Sequence, residues 1–119
     1  MIKDEDIEKA IEFLLSKAKE RGRLRGALVR AGHMRKHRKA LAMKQFNELP
    51  VSAQEREAYA SDEYVAALTE EAEAAAAFEH ISALCEAAAL KIEVWRTQQA
   101  NARGQDRAMS GNVGRSYGV

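Results

Sequence analysis

The chain has 119 residues, enough for one domain, with 19 Lys and Arg against 18 Asp and Glu, a formal charge of +1. Of its residues 46% are hydrophobic, but 23 are alanine, so few large side chains are left for burial. Apolar burial stabilises by roughly 25 cal/mol per Å². An alanine-rich chain this small is therefore marginal alone, and a homo-oligomer is expected. The single cysteine, Cys85, excludes an intrachain disulfide and fits a reducing, cytoplasmic setting. The acidic start Asp4-Glu5-Asp6 carries no apolar signal-peptide core, and no apolar run is long enough to span a membrane.

Residues 4–48 favour a helix. Ile7, Ile11, Leu14 and Ala18 repeat at helical spacing, with acids in the first turn where the helix dipole favours them. Leu24, Leu28, Ala31, Met34 and Leu41 continue the stripe. Gly22, Gly26 and Gly32 interrupt it, each costing about 1 kcal/mol relative to alanine. They mark a bend or a place where another backbone comes close. Pro50 forbids continuation, because the residue before proline is pushed out of the helical region. Ser52-Ala53-Gln54-Glu55 has the S-x-x-E form of a capping box and predicts a short helix over 52–60. Ser61 or Asp62 then caps a second long helix over 62–102, whose stripe is Phe78, Ile81, Cys85, Ala88, Ile92 and Trp95. The expected fold is all-α: a long antiparallel helical hairpin, coiled-coil-like, with a short helix at its tip. The hairpin domain covers 1–103, and the Gly-rich segment 104–119 is expected to be a flexible tail.

Charge is segregated. Between Lys17 and Lys44 eleven basic residues face Glu20 alone, a net charge of +10. Between Glu48 and Glu93 eleven acids face Arg56 and Lys91, a net charge of −9. Two readings follow. The basic helix tracks phosphates, giving salt-sensitive and sequence-independent affinity for nucleic acid. Alternatively, the basic and acidic helices lie side by side and their charges set register, as in coiled coils. Arg30, Arg35, Lys36, Arg38 and Lys39 are the candidate nucleic-acid contacts. The near-zero overall charge and the lack of aromatic residues among the cations weigh against that reading.

No catalytic set presents itself. Cys85 sits on the apolar seam, where a thiol is inert packing. His33 and His37 stand at i and i+4, a spacing that can chelate zinc, and His80 lies across the expected hairpin. The flanking cations repel a metal, however, and Met34 stands where a zinc protease needs glutamate. No metal and no cofactor is expected. Tyr59 and Tyr64 are expected to close the tip. Trp95 is expected to pack at the open end against Ile7, Ile11 or Phe13, or, with Arg96, to anchor a partner.

Gln54-Glu55-Arg56-Glu57-Ala58-Tyr59-Ala60-Ser61, with Tyr64 and Leu68, and later Trp95-Arg96-Thr97-Gln98-Gln99-Ala100-Asn101, resembles small helical proteins of tailed bacteriophages and prophages. The likeness covers residues 5–103 and leaves out the 35–39 cations and the tail. Genes for such proteins often lie among replication and recombination genes, and the group has no assigned activity, so the resemblance implies a setting and no catalytic residue. The expectation is a non-enzymatic phage accessory protein of DNA replication or recombination, binding nucleic acid weakly or bridging to a bound partner. The alternative is an interaction module that oligomerises or docks on a phage or host protein, including a host-defence component.

Overall fold

The computed structural model describes the backbone of residues 1–117 and the side-chain surroundings as far as Met109. It is all-helical: α1 (Asp4–Lys44), α2 (Val51–Tyr59) and α3 (Asp62–Tyr117). The topology is the expected helical hairpin, with α2 between the two long helices. The chain divides into two compact units, Met1–Ser16 with Leu84–Val119, and Lys17–Ala83. α1 and α3 contribute to both.

In the first unit α1 and α3 meet through buried Ile7, Ala10 and Cys85. The pairing is antiparallel. The Ile2 amide donates to Gln98 Oε1 at 3.1 Å, and Trp95 Nε1 donates to Asp4 Oδ1 at 3.1 Å. Trp95 is thus half-buried and held by the acidic first turn of α1, at the end of the hairpin where it was expected.

In the second unit the buried residues are mostly small: Ala42, Ala58, Tyr64, Ala67, Ile81 and Ser82. Gly32 is the one glycine of α1 turned toward α3, where an added Cβ would lie 3.7 Å from Glu71 Oε1. Gly22 and Gly26 face open space. No glycine among the described residues has a positive φ, so these positions serve ordinary helix rather than a bend.

Three boundaries differ from the sequence expectation. α1 ends at Lys44, four residues earlier than 48, and the chain closes in turns in which the Gln45, Phe46 and Leu49 amides donate three residues back. Such tight bonds commonly finish a helix as its last carbonyls seek donors. The capping box does not form. α2 starts directly after Pro50, whose φ of −57° presets the turn, and no side chain caps it. Ser52 lies inside the helix, while Gln54 Nε2 donates to the Leu49 carbonyl at 2.8 Å. Ser61 does cap α3: its hydroxyl donates to the Ala58 carbonyl at 2.6 Å and accepts from the Tyr64 amide at 3.3 Å.

The third difference is the end of α3. It passes 102 and Gly104 and continues to Tyr117, with no proline to stop it. Arg103 to Met109 are exposed, so this stretch has only its own propensity to hold it. Residues 118–119 of the expected tail lie outside the described residues.

Candidate functional site

The basic stretch of α1 was the leading candidate, and the structure sorts its cations into two groups. Those turned toward α3 and α2 are paired. The Arg35 guanidinium binds Glu71, Arg38 meets Glu70 at 3.2 Å, and Lys39 meets Glu55 at 3.9 Å. Lys39 also lies 4.3 Å from the Tyr59 ring centroid and donates to Tyr59 Oη at 2.7 Å. Tyr59 in turn stands edge-on to Tyr64, with ring centroids 5.2 Å apart. The two tyrosines close the tip as expected, and Lys39 joins them.

These contacts hold the charged forms in place. The Glu71 carboxylate, followed by the Tyr64 hydroxyl, pushes the Arg35 pKa further above its ordinary value. The Tyr59 hydroxyl does the same for the Lys39 ammonium. Three of the five candidate nucleic-acid contacts therefore have partners within the chain. Basic and acidic helices lie side by side here, since each pair joins a basic residue of α1 to an acid of α2 or α3.

Arg30 and Lys36 are exposed and have no ion-pair partner among the described residues. Lys19, Arg21, Arg23, Arg25 and Lys44 share that condition. Lys17 pairs locally with Glu20 at 3.4 Å. Sequence reasoning missed Arg25, which with Arg30, His33 and Met34 lines an open groove whose floor includes Gly22, Gly26 and Val29. The signal was present: these residues lie on the helix face turned away from the Leu28, Ala31, Arg35, Arg38 and Ala42 seam.

A different feature extends over both units. Among the described residues no large side chain is fully buried. Large apolar residues are exposed along both long helices, from Leu15 at 75% and Val29 at 53% on α1 to Val65 at 51% and Leu90 at 64% on α3. In the first unit Phe13, Leu84, Ala87 and Ala88 line a shallow groove edged by Asp6, Lys9 and Lys91. In the second, Leu41, Ala42 and Ala66 line another beside Arg38 and Glu63.

Arg96 is exposed and pairs with Glu93 one turn back at 3.2 Å, while Trp95 bonds to Asp4. Among the described residues no three of His, Cys, Asp and Glu gather to hold a metal ion, and His33, His37 and His80 are all exposed. Cys85 is buried. No helix among the described residues is long and apolar enough to cross a membrane. No protein-family model, curated protein or solved structure matches this chain.

Proposed function

We propose that the chain is a non-catalytic assembly module that works by presenting its outer helix faces to protein. One observation carries this reading. Among the described residues the buried set is small, namely Ile7, Tyr64, Ile81, Cys85, Ser82 and four alanines with no large side chain fully buried, while Leu15, Val29, Val65 and Leu90 stay in solvent on the helix flanks. Exposed apolar residues scattered singly are normal, but a chain with no fully buried large side chain has put its main apolar resource outside. A partner that covers those faces completes the fold and gains the burial. The resemblance to phage-encoded helical proteins supports a setting in phage DNA replication or recombination, with a phage, host or identical chain as partner.

Native mass spectrometry of the gently purified protein tests the reading. Complexes of integer stoichiometry are expected, containing further copies or one other protein. A bare monomer at every concentration would remove the proposal.

A second reading has its own observation. Seven exposed cations between Lys17 and Lys44, unpaired among the described residues, offer a salt-sensitive contact for a phosphate backbone. Fluorescence anisotropy with a labelled single strand tests it. Binding that weakens steeply with salt and is lost in the Arg25→Glu/Arg30→Glu variant would favour it. Absence of binding at low salt and micromolar protein would remove it.

A further inference from the structure

We infer that the partner of the second unit is a second copy of this chain, seated with the outer face of its α3 in the outer groove of α1. This rests on the assembly reading and names its occupant.

The two faces are described within the same unit, Lys17–Ala83, and their chemistry is complementary. On α1, the face away from the seam has a floor of Gly22, Gly26 and Val29 with Arg25 and Arg30 beside it. A Cβ built at Gly22 or Gly26 meets nothing within 4 Å, so the backbone is open to close approach. On α3 the seam residues are Tyr64, Ala67, Glu71 and Phe78, and the opposite face carries Thr69, Ala72, Ala76 and His80, all exposed. Glu73 and Glu79 flank that strip; both are exposed and unpaired among the described residues. A strip of small residues edged by arginines thus has its counterpart in a strip of small residues edged by glutamates. Small residues at the centre of each let the helices approach closely.

The geometry of the chain supplies the orientation. Within the unit α1 and α3 run antiparallel, and their pairing sets the basic stretch of one against the acidic stretch of the other. Moving a second copy sideways, without rotation, puts its α3 antiparallel on the free side of α1. In the register found within the chain, where Gly32 lies against Glu71, the groove around Gly26 and Val29 comes opposite 72–79. The contact between copies then repeats the ionic logic of the contact within one. Because the two faces differ, the interface is heterologous. Each copy of a pair keeps one face unfilled, the pair keeps one of each kind, and the row continues or closes into a ring.

Sedimentation velocity on the purified full chain, at low and high salt, reads this directly. The parent is expected to sediment as a concentration-dependent series of multimers that shortens as salt rises. Gly26→Leu is expected to give monomers under the same conditions. Its fold is preserved, since the new side chain enters open space and leucine is the better helix former. Circular dichroism and a thermal melt check that. Arg25→Glu/Arg30→Glu and Glu73→Arg/Glu79→Arg are each expected to lose assembly alone, and to recover it when mixed, since each retains one native face.

Three results would overturn the inference. One is a parent that is monomeric at low salt. Another is a Gly26→Leu chain that assembles like the parent. The last is a groove that takes single-stranded DNA while the chain stays monomeric. A purified monomer that carries a different protein in stoichiometric amount would sink self-docking yet leave the assembly reading standing.

Discussion

The two units of the hairpin join the same pair of helices by different means. In the first, Ile7, Ala10 and Cys85 are buried and Trp95 bonds to Asp4, with no ion pair joining α1 to α3 among the described residues. In the second, Tyr64 and Ile81 are buried with Ala42, Ala58, Ala67 and Ser82, and Arg35, Arg38 and Lys39 reach across to Glu71, Glu70 and Glu55. One seam is uncharged; the other carries ion pairs and, at Ala42 and Ala67, is thin. Alanine at the contact lets α1 and α3 approach closely enough for the charged heads to meet, but contributes little burial.

The largest effect is expected from the apolar seam. Ile7→Ala removes a buried side chain that is 5% exposed, and a loss of about 2–4 kcal/mol is expected in urea unfolding. Loss below about 1 kcal/mol would mean that this seam carries little. The thin seam should respond to the opposite change. Ala67 is 1% exposed, and Ala67→Leu overfills a close contact at a cost of about 1–3 kcal/mol. A neutral outcome would show that the helices there have room to part.

Ser82 gives a smaller effect of opposite sign. Its hydroxyl is buried with no hydrogen-bond partner among the described residues. Ser82→Ala is expected to stabilise by about 1 kcal/mol, because an unsatisfied buried polar group is removed. The smallest effect is the pH response of the tip. The Tyr59 hydroxyl raises the Lys39 pKa above its ordinary value, so the charged form is favoured in the folded chain. That contribution is complete below the ordinary lysine range and fades as pH rises through the elevated value. Far-ultraviolet melts across that alkaline range should lose midpoint in the parent and lose less in Lys39→Met.

Much of the fold was legible in the sequence. The stripe Phe78, Ile81, Cys85, Ala88, Ile92, Trp95 has one period throughout, and the basic and acidic blocks favour antiparallel placement of the two long helices. The ends were less legible. S-x-x-E at Ser52 is a local pattern, and Pro50 overrode it by starting the helix one residue sooner. Gly104 and the glycines after it resemble a breaker, yet without a proline the helix continues to Tyr117. Of the candidate site, the sequence marked the basic stretch but not which cations face α3. That division depends on the drift of the seam around α1, which turns Arg35 and Arg38 inward and leaves Arg25, Arg30 and Lys36 outside.

The account turns on outer faces that complete a fold the seam alone leaves marginal. Urea unfolding of the full chain over about a 100-fold range of protein concentration measures this, because association with the folded form makes stability concentration-dependent. The account expects the midpoint to climb steadily with concentration at low salt. A midpoint that stays fixed across the whole range, with a high unfolding free energy, would contradict it.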